Sequence, residues 1–211
     1  MADTGSSSTD GITNNGTFRV TGIEPRARWQ WSANAGSKFN DGVGETFTLG
    51  AGIYAKSAIQ VRQIDAVGNV GDFAAGPTAM TVDLTAPTLV AFAATKTAAG
   101  LYTTGQVITI TATLSEAVQD GGFITVTLNT SGTVATLQLR LDTKLDPSRK
   151  TLSGQYKIAA SEKVTGALRV ASFAIGGGNG GVKDIAGNDL TSLAVPTDAN
   201  NIDWKKKITI N

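Results

Sequence analysis

Two five-residue loops carry most of the chemistry legible in this chain: Asp65-Ala66-Val67-Gly68-Asn69 and Asp184-Ile185-Ala186-Gly187-Asn188. Each offers a carboxylate and a side-chain amide, both hard oxygen donors, around a glycine that lets the backbone turn tightly. Calcium takes about six to eight such oxygens in forgiving geometry. Two further acids belong with the loops. Glu116 follows the alternating run Ile108 to Leu114, and Asp83 ends a strand just before Ala86-Pro87. Asp, Gly and Asn also build ordinary turns for backbone reasons alone, so either loop by itself reads both ways. The repetition of one loop after two strands points to an ion and a mechanical role, not to catalysis.

Composition narrows the field. The 211 residues include no cysteine and no histidine. Disulfides, zinc held by thiolate or imidazole, and Ser-His or Cys-His catalysis are therefore excluded. No nucleophile stands with a base and no carboxylates pair in a catalytic setting, so the chain does not read as an enzyme. Gly176-Gly177-Gly178-Asn179-Gly180-Gly181 lacks the Lys-Ser/Thr and the helix of a phosphate loop. No apolar run reaches membrane-spanning length, and a net charge of +1 gives no reason to expect nucleic acid. The run Lys205-Lys206-Lys207 reads as charge protecting an edge strand, with a polyanion patch as the sharper alternative. Met1-Ala2-Asp3 opens no basic-then-apolar signal peptide, and the chain reads as a piece of something longer.

The elements that must position the acids are strands. Phe18 and Val20 alternate with Arg19 and Thr21, and Ile59, Val61 and Gln63 repeat the period, as do Met80, Val82 and Leu84. Later, Ile108, Ile110, Ala112 and Leu114 alternate with threonines, followed by Ile124, Val126, Leu128 and by Leu137, Leu139, Leu141. Period two with frequent turn signals predicts antiparallel all-β units, and sets of short strands near 100 residues suggest β-sandwiches. The expected units are 1–85 and a larger 86–211, joined by a short acidic linker containing Pro87. Residues 1–16, polar and turn-like, read as a disordered leader. Trp29 and Trp31 read as core and flank of the sandwich rather than a sugar platform; taken as lying on opposite strand faces, they would leave one ring exposed, so either is a candidate contact. In an immunoglobulin-like sandwich the loop before the last strand lies at the entry end. Asp184 and Glu116 of the second unit then fall at one end, and Asp83 leaves the first unit where the second begins.

At this point the residues resemble a known family. Asp3-Thr4-Gly5, Asp10-Gly11-Ile12-Thr13-Asn14, Trp29-Gln30-Trp31-Ser32, Phe47-Thr48-Leu49, Val61-Arg62-Gln63 and the Asp65 loop are similar to the bacterial Ig-like repeats of giant RTX-type adhesins. Leu114-Ser115-Glu116-Ala117-Val118, the Asp184 loop and Asp198-Ala199-Asn200-Asn201 resemble another Ig-like repeat of the same kind of protein. Asp83-Leu84-Thr85-Ala86-Pro87 resembles the junction between successive repeats. The resemblance implies two tandem Ig-like β-sandwiches, secreted to the bacterial cell surface by type I export and folding in calcium. Carried over by position, it implies one Ca2+ site at Asp3, Asp10, Asp65 and Asn69, and a second at Asp83, Glu116, Asp184 and Asn188. Val67 departs from the small residue usual in that loop.

The implied function is a calcium-stiffened extender that projects a distal adhesive domain. Its partners would be neighbouring repeats of the same chain, with the chain itself monomeric and not inserted in a membrane. The rival reading is a ligand-binding module of the adhesin, recognising glycan, peptide or another cell's surface. A further rival, adsorption to ice through threonines such as Thr109, Thr111 and Thr113, needs a flatter sheet than twisted strands supply.

Overall fold

The computed structural model describes residues 3–76, 78–95, 98–131, 135–164, 166–202 and 207–211, without the side chains of Thr95 and Asn179. The chain is all-β with several sheets, consistent with sandwich architecture. It divides into two compact units, one of residues 1–85 with 186–188, the other of 86–185 with 189–211. The tripeptide 186–188 thus packs with the first unit although it comes late in sequence.

Unit 1 contains β1 (Ile12–Thr13), β2 (Thr17–Arg19), β3 (Arg28–Ser32), β4 (Asn40–Asp41), β5 (Thr46–Thr48), β6 (Gly52–Tyr54), β7 (Gln60–Ile64), β8 (Ala74–Ala75) and β9 (Met80–Val82). They form the sheets β4-β3-β7-β8 and β1-β9-β6 and the pair β2-β5. Between them lies a small core of Trp29, Phe47, Leu49, Ile59, Met80 and Val82. The leader is not disordered over its described part. Ile12 and Thr13 pair in parallel with Thr81 and Val82, and Asp83 N donates to Thr13 O at 2.8 Å. A strand of two residues, Ile12 and Thr13, is too short to show a period.

Trp29 is core and Trp31 flanks it, as expected, but on one strand face and not on two. Residues two apart on a strand share a face, so Trp29 and Trp31 both meet Phe47, with ring centroids 6.1 and 4.7 Å away. Trp29 fixes its surroundings further. Its indole N–H donates to Gly44 O at 2.9 Å, and a Cβ on Gly42 would come within 2.1 Å of its ring. Position 42 is glycine because the ring fills the space a side chain would need.

Unit 2 contains β10 (Leu89–Thr95), β11 (Gly100–Tyr102), β12 (Val107–Leu114), β13 (Gly122–Leu128), β14 (Thr136–Leu141), β15 (Thr151–Lys157), β16 (Val170–Gly177) and β17 (Ile208–Ile210). Six run antiparallel in the order β10-β12-β15-β14-β13-β16. The β14–β15 contact has only two residue pairs, Arg140↔Ser153 and Leu141↔Leu152. The sheet therefore behaves as two three-stranded leaves. Ile108, Ile110 and Leu114 of β12 and Ile124, Val126 and Leu128 of β13 bury their alternating faces in one core.

The outer strands of that sheet are sealed by one segment. Asn201 takes the Val170 amide on Oδ1 at 2.9 Å and returns its own amide to Val170 O at 2.8 Å. Ile202 N donates to Phe92 O at 2.8 Å. One short stretch thus satisfies groups on both β16 and β10, which would otherwise be open edges. The threonine array does not survive burial, because Thr111 lies inside unit 2 with its hydroxyl on Ala93 O at 3.3 Å. Of the lysine run, Lys205 and Lys206 lie outside the described residues; Lys207 is exposed just before β17.

Candidate metal centre

In unit 2, β12 ends at Leu114 and the chain turns through Ser115 into Glu116. Two bonds fix that turn: Ser115 N donates to Thr88 O, and Thr88 N to Ser115 Oγ, each at 2.9 Å. Asp184 is positioned from the other side. It bridges Val118 in antiparallel fashion, Gln119 N donates to Lys183 O at 2.9 Å, and Gln119 Nε2 donates to Asp184 O at 2.7 Å. The flanking Lys183 and Asp189 form an ion pair at 2.5 Å. The result is a carboxylate with 1% exposure, fixed by backbone on both sides.

The carboxylate oxygens of Glu116 and Asp184 lie within 4.8 Å of each other. Two like charges at that separation repel by about 3.5 kcal/mol at an effective dielectric of about 20. Burial of one of them adds a desolvation cost. A divalent cation relieves both, and carboxylate oxygen is the donor calcium takes. The donor chemistry fits that ion.

The remaining two residues of this expected set are in unit 1. Asp83 follows β9 and accepts Thr85 N on Oδ1 at 2.9 Å. Asn188 Nδ2 donates to Asp83 O at 2.9 Å, so the amide at the end of the Asp184 loop is bonded to the residue that closes unit 1. The loop begins in one unit and ends in the other.

The other expected set is arranged differently. Asp3 Oδ2 accepts Gly11 N at 3.0 Å, and Asp10 Oδ1 accepts Ile12 N at 2.9 Å, so these two acids are neighbours. Asp3 lines a cavity with Ile59, Gly76 and Met80. Asp65 and Asn69 follow the end of β7. Among the described residues, Asp3, Asp10 and Asp65 do not form a group of carboxylate oxygens within 4.8 Å of one another. Asp65 instead closes on its own loop, accepting Asn69 Nδ2 at 2.7 Å, Asn69 N at 2.8 Å and Val67 N at 2.9 Å. Those bonds, the Asn69 side chain foremost, hold its carboxyl below the usual range. This loop is built as a turn.

Sequence reasoning missed the groups that seat the second loop. The Thr4 hydroxyl accepts Asn14 N and sets its proton between two acceptors, Asn14 Oδ1 and Ala186 O, each 2.9 Å away. Thr4 and Ala186 are 182 residues apart, and no local pattern links them. Gln119 was equally silent, being an ordinary polar residue after an apolar one. No known protein family, curated protein or solved structure matches this chain.

Proposed function

We propose that the chain is a structural extender segment of a secreted bacterial surface adhesin, made of two tandem Ig-like β-sandwiches. In this reading Asp83, Glu116, Asp184 and Asn188 bind calcium, and the bound ion stiffens the chain so that it holds a distal adhesive domain away from the cell. The observation that carries the reading is the Glu116–Asp184 pair, two close carboxylates with one removed from water. Three acids, Asp83, Glu116 and Asp184, are of the type and number that could hold a metal ion. Calcium would supply the charge that holds these acids together, while the chain's own residues set where they stand. Gln119 and Val118 fix Asp184, Ser115 and Thr88 fix the turn to Glu116, and Asn188 ties its loop to Asp83.

In low calcium, as in a bacterial cytoplasm, the acids would repel and the chain would be pliant. In millimolar calcium it would be rigid, with neighbouring repeats as its partners and no catalytic role. Titration calorimetry of the whole chain with calcium tests the binding step. Wild type should take up the ion in the micromolar-to-millimolar range, and Asp184→Asn should weaken uptake at least tenfold. Small-angle scattering then tests the mechanics: calcium should narrow the distribution of sizes and chelator should broaden it. Absence of calcium uptake by the wild type at millimolar concentration sinks the reading.

A further inference from the structure

Within unit 2 the two leaves part beyond Ser153. β14 and β15 pair only at Arg140↔Ser153 and Leu141↔Leu152, while β15 stays paired with β12 as far as Lys157, and β14 with β13 as far as Thr136. In an antiparallel ladder, alternate residues turn their backbone groups toward the same neighbour. Ile158 N donates to Gln106 O on the β12 side, and Leu128 N donates to Ala135 O on the β13 side. The backbone groups of Gln155, Lys157 and Thr136 therefore face the opening between the leaves, where the register gives them no strand partner. A cavity of about 270 Å3 lies there, between Thr136 and Leu137 on one side and Gln155, Tyr156 and Lys157 on the other, with Glu162 in its wall.

Glu162 is 5% exposed. Its Oε2 accepts the Tyr156 hydroxyl and Ala159 N, each at 2.7 Å. Burial, then the bond to Glu162, pushes the Tyr156 hydroxyl up, so it stays a donor. Oε1 makes no hydrogen bond, and no lysine or arginine among the described residues pairs with either oxygen. Nor is Oε1 sealed from solvent, since among the described residues only Asp3 Oδ1 is both buried and unbonded. It is reached through the cavity that Glu162 lines. A charge withdrawn from water is costly unless hydrogen bonds and a counter-charge meet it. Two donors meet Oε2, and no cation of the wall meets Oε1.

We propose that this cleft binds an extended peptide segment carrying a lysine or arginine. The basic side chain bonds Glu162 Oε1, and the peptide backbone takes the open groups of Gln155, Lys157 and Thr136. Charge complementarity selects the basic group, and the two strand edges select an extended backbone, which adds to them as a strand. A bare calcium ion fits less well, because it takes about six to eight oxygens and this wall offers one carboxylate. Lys157 is exposed and alternates with buried Tyr156 along β15, so its side chain turns to the opposite face. Its like charge weakens the site without filling it. The cleft belongs to unit 2 alone and does not rest on the calcium reading.

Amide NMR of the whole chain in chelator tests the site, with a titration by an acetylated, amidated pentapeptide of alternating threonine and valine that has lysine at its centre. The amides of Thr136, Gln155 and Lys157 should shift together and saturate. Norleucine in place of the lysine should weaken binding about tenfold, the loss of one charge-assisted bond. Glu162→Gln should weaken it to the same extent, and Lys157→Gln, at an exposed position, should tighten it about twofold. If Glu162→Gln unfolds unit 2, the norleucine peptide and Lys157→Gln still decide, because both leave Glu162 in place. Equal binding of the lysine and norleucine peptides overturns the proposal. So does binding of n-butylammonium as tight as that of the peptide, since the strand edges would then have no part. A separate titration without chelator covers the metal: shifts at these amides with calcium, and none with the peptide, overturn the proposal in favour of a metal site.

Discussion

Asp184 and Asp65 begin five-residue phrases of one Asp-x-x-Gly-Asn pattern, and they differ in what lies on either side. The Asp65 carboxylate accepts Val67 N, Asn69 N and Asn69 Nδ2 of its own loop. Asp184 is caught between Val118 and Gln119 and brought near Glu116. The loop composition was legible in sequence, and so was the end of unit 2 at which Glu116 and Asp184 meet. Both copies turn over their second and third residues; what the pattern did not show is which copy has a second acid beside it, because calcium ligands and turn formers are the same residues. The tightest constraint on a single residue lies elsewhere, at Gly42. Its space is already occupied by the Trp29 ring, so Gly42→Ala must push the indole off Phe47 or open the turn. Overpacking of this kind costs about 2–3 kcal/mol. Urea unfolding followed by tryptophan fluorescence should show unit 1 weakened by that amount, and an unchanged midpoint would mean that the ring moves freely.

Strands with a clean period of two, β12 and β13 above all, could be read from the sequence because one whole face of each is apolar and buried. The elements that escaped are short or polar. β1 has two residues and gains its place from β9, and the segment that seals the edges of unit 2 works through one asparagine. Asn201→Ala would leave both polar groups of buried Val170 without these partners. Each lost buried bond costs about 1–3 kcal/mol, so unit 2 should lose about 3 kcal/mol or more by urea unfolding. Asn201→Asp, which keeps only the acceptor, should recover part of it. The turn from β14 to β15 makes a pH prediction. Asp142 accepts Ser153 Oγ and the amides of Leu145 and Lys144, and Asp146 accepts the Ser148 and Thr151 hydroxyls. These bonds, led by Ser153 for Asp142 and Ser148 for Asp146, hold both carboxyls below 3.8. Groups with lowered folded values contribute fully above the unfolded value and lose that contribution as pH falls through the folded one. The turn should therefore be unaffected from pH 7 to 5 and loosen below about pH 4. Exchange rates across 142–151 should follow that profile, and the double variant Asp142→Asn, Asp146→Asn should flatten it.

The described residues form two cores of unequal size. Unit 1 rests on a cluster built around Trp29 and Phe47, with short sheets and many turns, while unit 2 buries a much larger set spread over both its leaves. Hydrophobic stabilisation grows with the apolar area removed from water, so the units should melt separately in a scanning calorimeter, with unit 1 first. Calcium gives this prediction its reach. A ligand that binds only the folded state adds about 2.7 kcal/mol at a hundredfold excess over its dissociation constant. If one ion takes donors from Asp83 and Asn188 in unit 1 and from Glu116 and Asp184 in unit 2, it stabilises both units together. Calcium should then raise the unit 1 transition most, because the smaller core has the least stability of its own, and should draw the two transitions toward one. With Asp184→Asn the two should stay apart at every calcium concentration. A rise confined to unit 2 would assign the ion to Glu116 and Asp184 alone. The clamp would then be absent.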